Sequence, residues 1–169
     1  MCIAAVSAKW CGVAGVKSGG SGAASGAAGD GGNCDGVRVQ LAAGVQQIYS
    51  TGYAFAAVKS DGSVVTWGNA DIGGNCDAVR AQLAAGVQQI YSTHAAFAAV
   101  KSDGSVVTVG DEDWGGSCDA VRAQPVAGVQ QIDSTGSAFA AVKSDGRVVA
   151  SSTGDPGRHW AAVLGPLST

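Results

Sequence analysis

This chain has little of what catalytic and nucleic-acid-binding sites are usually built from. Of its 169 residues, 14% are charged and 6% aromatic, with two histidines, three prolines and one methionine. His94 and His159 stand at non-equivalent places, and nothing orients a Ser-His-Asp triad around either. His94 therefore reads as a loop residue rather than a general base. There is no Gly-x-x-x-x-Gly-Lys phosphate loop, and the glycine-rich residues 15–32 lack the strand-to-helix context of a dinucleotide site. No cofactor is expected. The formal net charge is −3, from 10 basic and 13 acidic residues, whereas a nucleic-acid partner would favour a basic face. No apolar run approaches the roughly 18 residues that cross a bilayer. Residues 1–8 are apolar but lack a preceding basic region and stop at Lys9, which disfavours a secretory signal. The expected compartment is cytoplasmic or nuclear, without membrane association.

Cysteine is too sparse for a framework. Five cysteines are an odd number, which argues against a complete disulfide set in an oxidising compartment. Zinc sites pair cysteines about two to four residues apart, and no such pair exists, so no metal is expected. Cys34, Cys76 and Cys118 recur at equal spacing and read as small apolar side chains copied by duplication.

What the chain does have is repetition at a period of 42. Cys34, Cys76 and Cys118 are equivalent, as are Phe55, Phe97 and Phe139. Residues 32–68 and 74–110 differ at five of 37 positions: Gly36/Ala78, Val39/Ala81, Gly52/His94, Tyr53/Ala95 and Trp67/Val109. A fixed period of this size means stacked or radial repeats. Residues 32–157 divide into three copies, 32–73, 74–115 and 116–157. Before them, 1–31 is a degenerate half repeat rich in Gly, Ala and Ser, in which residues 15–32 are expected to have lost strand-forming side chains and to be flexible. After them, 158–169 is a stub. The 27 glycines, and apolar content drawn largely from Ala and Val, leave little area to bury per residue. Stability then depends on repeat packing on repeat.

Each copy carries strand signals. Residues 45–51, 54–59 and 63–67 are rich in β-branched and aromatic side chains. Asp61-Gly62 between the second and third is a strong hairpin signal, repeated at Asp103-Gly104 and Asp145-Gly146. Residues 34–41 read either as a fourth, outer strand or as a short helical turn. Asp77 with Arg80 and Asp119 with Arg122 are candidate surface ion pairs of little energetic weight. An antiparallel meander of this length predicts an all-β, repeat β-propeller-like fold, a partial or small propeller of about four periods (169/42).

The stretch Ala54 to Gly68, Ala-Phe-Ala-Ala-Val-Lys-Ser-Asp-Gly-Ser-Val-Val-Thr-Trp-Gly, resembles the repeat of the regulator of chromosome condensation (RCC1-like) family. Ala57-Val58 falls on that repeat's Ala-Leu pair, Asp61-Gly62 on its hairpin turn and Trp67-Gly68 on its closing Trp-Gly. The resemblance covers roughly residues 32–149. Similar short-blade propellers occur in a β-lactamase inhibitor protein and in arrays attached to HECT-type ubiquitin ligases. The chain departs from the pattern in places. The family's His-Ser is Ala54-Phe55 here, and the closing Trp becomes Val109 and then Ser151. The resemblance implies a ring of about seven blades, guanine-nucleotide exchange, ubiquitin-ligase scaffolding or enzyme inhibition. No residue here matches the exchange face.

Meander geometry puts the loops after the first and third strands on one rim and the Asp-Gly turns on the other. Copy-to-copy differences favour the first rim: Gly52-Tyr53 against His94-Ala95, and residues 69–72 against Asp111-Glu112-Asp113-Trp114. Loop drift after duplication is the simpler account of that variation. The functional reading is a partner-binding rim of Tyr53, Ile72, His94, Asp111, Glu112, Asp113 and Trp114 on a constant scaffold. A cation site at 111–113 would need about six oxygens with turn glycines at set spacings, so a solvated acidic loop is the better reading there. The expected function is a non-catalytic protein-protein interaction module with an unidentified protein partner, and a second copy completing the ring is one such arrangement. The alternatives are a fragment of a larger repeat protein and, less favoured, a hydrolase-like site on the loop rim.

Overall fold

Strands form where β-branched, alanine and aromatic residues alternate between glycine-bearing turns. The computed structural model describes residues 3–9, 12–26, 31–116, 128–151 and 161–164. The first strands are β1 (Ile3–Lys9), β2 (Gly12–Lys17), β3 (Gly22–Gly26), β4 (Val45–Ser50), β5 (Ala54–Lys59) and β6 (Val64–Gly68). They are followed by β7 (Val87–Ser92), β8 (Ala96–Lys101), β9 (Val106–Gly110), β10 (Val129–Ser134), β11 (Phe139–Lys143), β12 (Val148–Ala150) and β13 (Ala161–Leu164). They pair into four antiparallel meanders, β1-β2-β3, β4-β5-β6, β7-β8-β9 and β10-β11-β12-β13. The architecture is that of an all-β partial propeller of RCC1 type, with short blades in sequence order.

Register repeats from copy to copy. Ser50 faces Phe55, and Phe55 faces Trp67; in the next sheet Ser92 faces Phe97, and Phe97 faces Val109. The first pairing of each copy carries the same irregularity, between Val45 and Gln47, Val87 and Gln89, and Val129 and Gln131.

Side chains alternate across a strand, and this chain assigns small residues to one face and large ones to the other. Ala54, Ala56 and Val58 look from β5 toward the following sheet, where Phe97, Ile90 and Val87 cover them with Val79 and Leu83. In the same way Ala14 and Val16 meet Phe55, Ile48 and Val45, and Ala96 and Ala98 meet Phe139, Ile132 and Val129. Each buried Phe, Ile or Val contributes roughly 1.5–3 kcal/mol on transfer from water. Alanine opposite them lets the sheets approach closely. Among the described residues exposure rises toward the end sheets: Val13 is 48% exposed, and Ala140 and Val142 are half-buried.

One open alternative is decided and one expectation is corrected. Residues 34–41 form no outer strand; they hold a 3₁₀ turn at Asp35–Val37 and continue as turn to Leu41, and Asp77–Val79 does the same one copy later. Asn33 Oδ1 accepts from the Asp35 N–H (2.8 Å) and the Val37 N–H donates to the Cys34 carbonyl (3.0 Å), so local bonds displace a ladder. Leu41 then drops into the core between sheets. The correction concerns the glycine-rich N-terminal stretch, which has kept its strands: β2 and β3 pair over five positions from Gly12↔Gly26 to Val16↔Gly22. Ala14, Val16 and Ala24 of this sheet pack there with Leu41 and Val45.

The turns join copies as well as strands. At Gly62 (φ 74°) the carbonyl accepts from the Val87 N–H at 2.9 Å, and Gly20 and Gly104 serve Val45 and Val129 in the same way. Asp35–Arg38 (3.7 Å) and Asp77–Arg80 pair on the exposed surface of the 3₁₀ turns. The Asp119–Arg122 pair and Cys118 lie outside the described residues.

Candidate functional site

The loop rim is assembled by one device used in the first two copies. Thr51 caps the turn after β4: its hydroxyl accepts from the Ala54 N–H at 3.0 Å and donates to the Ile72 carbonyl at 3.3 Å. Thr93 repeats this with the Ala96 N–H (3.0 Å) and the Trp114 carbonyl (2.9 Å). A buried threonine thus ties the loop after the first strand to the loop after the third. Successive copies are then laced together along the rim: the Gly52 N–H donates to the His94 carbonyl (2.8 Å) and the His94 N–H to the Gly136 carbonyl (2.9 Å).

This lacing brings three rings into a row. The His94 ring lies 5.9 Å from Tyr53, edge on, and 5.2 Å from Trp114, tilted. All three side chains are half-buried. Gly52 makes room for them, because a Cβ there would lie 3.0 Å from His94 Cε1. A depression of about 280 Å³ adjoins the row, lined by Gly52, Ser92, Thr93, His94, Thr135 and Gly136.

The remaining expected residues fall into two roles. Asp111 is spent on structure: its carboxylate accepts from the Asp113 N–H at 2.8 Å and starts the 3₁₀ turn Glu112–Trp114, as Asn69 starts Ala70–Ile72. Glu112 and Asp113 are exposed beside Trp114 in that turn. Ile72 occupies the Trp114 position one copy earlier and is half-buried. Among the described residues no group of three His, Cys, Asp or Glu side chains could hold a metal ion. His159 lies outside the described residues.

Sequence reasoning missed Thr51 and Thr93. The signal was present, since Thr stands three residues before the second strand's alanine at 51, 93 and 135, but it needed the hydrogen-bond geometry to be read as a cap. A larger cleft of about 560 Å³ lies between the first two copies toward the other rim. Its walls mix Lys59, Asp61, Asp77 and Arg80 without an aromatic ring, and Thr66 beside it holds a buried hydroxyl with no partner.

Repeated short antiparallel blades with a hydrogen-bonded loop rim make a partial β-propeller with an RCC1-like fold. Solved structures bear this out at the level of fold. The chain is similar to human WBSCR16 (17% identity, TM-score 0.55, covering 89% of this chain and 47% of that one). It is also similar to Prp20p from Saccharomyces cerevisiae (14% identity, TM-score 0.58, 88% and 44%). Yeast RCC1 (Prp20) bound to Kap60 matches at 15% identity and TM-score 0.57, covering 88% and 41%. The chain therefore spans less than half the length of these propellers. No family model and no curated protein matches it. Among the described residues no helix is long and apolar enough to cross a membrane.

Proposed function

We propose that this chain is a non-catalytic protein-interaction module that docks its partner on the loop rim, through Tyr53, His94 and Trp114. The observation that carries this reading is the convergence of copy-specific residues. Tyr53 is replaced by Ala95 in the next copy, His94 replaces Gly52, and Trp114 replaces Ile72. These changes sit at three different repeat positions and in two copies, yet their rings form one row. Independent drift of surface loops has no reason to place large rings in mutual contact. Aromatic side chains are also the residue types that dominate interface energies. In a structurally similar propeller, yeast RCC1 is bound to Kap60, in keeping with a protein-binding role.

The coverage of 41–47% of the similar chains favours a second reading on a different axis. Here the module is part of a longer repeat protein of exchange-factor or ubiquitin-ligase type, and the rim is one segment of a larger face. Photo-crosslinking separates the rims. A photoreactive residue placed at Ile72 on the loop rim should give a discrete cross-linked product in extracts of the native host, and one at Ser102 on the turn rim should not. Equal labelling from both positions, or none from Ile72, contradicts the proposal.

A further inference from the structure

The described basic side chains are confined to one side of the sheets while acidic ones stand on both, and the imbalance names a partner chemistry. The described acidic side chains near the ring row are Asp71, Asp111, Glu112, Asp113 and Asp133, in the loops after the third strands and at the end of β10. The described Lys and Arg side chains lie elsewhere. Lys17, Lys59, Lys101, Lys143 and Arg147 stand at the turn rim with Asp61, Asp103 and Asp145, and Arg38 and Arg80 sit in the connecting turns paired with Asp35 and Asp77, so the loop rim alone carries acids without a described cationic side chain. The backbone places one cation, Lys9, at the loop-rim end of β1. That sheet lies before the two copies that supply the rings.

We propose that the occupant of the ring row is a lysine- and arginine-bearing segment of a protein partner; this rests on the loop-rim reading above. Aromatic faces attract cations, and Arg or Lys stacks on Trp and Tyr at exposed and half-buried sites. Exposed carboxylates at Glu112 and Asp113 border Trp114, the ring that ends the row. Asp111 contributes charge although its oxygen is engaged by Asp113 N–H. A cationic side chain lying on Trp114 and His94 thus meets rings below and carboxylates alongside. An acidic or phosphorylated segment would meet only like charge. Complementary potentials raise association rates and make them sensitive to salt.

The test uses the whole chain and three labelled synthetic peptides of equal length: one of Lys, Arg and Gly, one of Glu and Gly, and one of Ser and Gly. Fluorescence anisotropy is read at low and at physiological salt. The basic peptide alone should bind, with affinity falling as salt rises. Trp114→Ala should weaken it about tenfold, and Glu112→Gln with Asp113→Asn should flatten the salt dependence. His94→Gly, which restores the residue found at positions 52 and 136, is a second ring variant that leaves the turn chemistry intact. Thermal melts check that each variant is folded. No binding of the basic peptide, or binding unchanged in both ring variants, overturns the proposal. If Ile72 cross-links a partner while the basic peptide fails to bind, the rim reading stands and the basic-segment assignment falls.

Discussion

At the scale of single residues, short side chains decide the shape of both rims. Asp61 and Asp103 close the hairpin turns. The Ser63 hydroxyl and N–H donate to Asp61 at 2.6 and 2.9 Å, and Ser105 serves Asp103 in the same way. These bonds, the hydroxyl first, hold both carboxyls below the ordinary aspartate value of 3.8. A depressed folded pKa contributes stability above the ordinary value and loses it as pH falls through the lower folded one. An NMR pH titration should therefore place both carboxyls below 3.8, and Ser63→Ala should move Asp61 back up while leaving Asp103 alone. Thr93 acts on the opposite rim. Thr93→Val removes a buried acceptor for the Ala96 N–H and a donor to the Trp114 carbonyl, and should cost about 1–3 kcal/mol in urea unfolding. Thr135 makes the same local bonds but is exposed, so Thr135→Val should cost less.

At the scale of elements, the strands were legible and their partners only partly so. Val-Gln-Gln-Ile, Ala-Phe-Ala-Ala-Val-Lys and Val-Val-Thr-Trp mark β4, β5 and β6 to within a residue or two, because β-branching, alternation and Asp-Gly turns agree. Residues 34–41 were ambiguous because Val37, Val39 and Leu41 alternate like a strand. Asn33 and the Cys34 carbonyl decide for the 3₁₀ turn, which leaves Val39 90% exposed. The N-terminal strands were misjudged because propensity undervalues glycine and alanine. Pairing of β2 with β3 and packing of Ala14, Val16 and Ala24 with Leu41 and Val45 outweigh it there. The turn glycines carry a sharper consequence. A Cβ on Gly62 would lie 2.7 Å from Gly86 N, at a φ of 74°. Gly62→Ala should destabilise by at least about 1 kcal/mol. Gly104→Ala should cost less, since its nearest neighbour is 3.4 Å away; equal costs in thermal melts would contradict the interlocked turns.

At the scale of the whole molecule, stability comes from sheets covering one another in sequence order, as in other repeat proteins. The middle sheets are covered on both faces: Ala54–Val58 and Ala96–Ala99 are buried throughout. The last sheet alternates, with Phe139 and Ala141 buried and Ala140 and Val142 half-buried. Hydrogen exchange should accordingly be slowest in β5 and β8 and faster in β11; uniform protection would contradict a chain of pairwise interfaces. The loop rim belongs to this scale too. Tyr53 and His94 are 41 residues apart, and His94 and Trp114 are 20 apart. The sequence marks all three as variable loop positions, but only the stacking of copies brings their rings together.

The most direct measurement is the set of ring-to-ring NOEs of His94 in solution. The row of rings predicts contacts from His94 ring protons to both Tyr53 and Trp114, with ring-current shifts on His94 that shrink in Trp114→Ala. A His94 ring at random-coil shifts, without NOEs to either neighbour, would mean that the copies do not stack in this order and that the loop rim is not one surface.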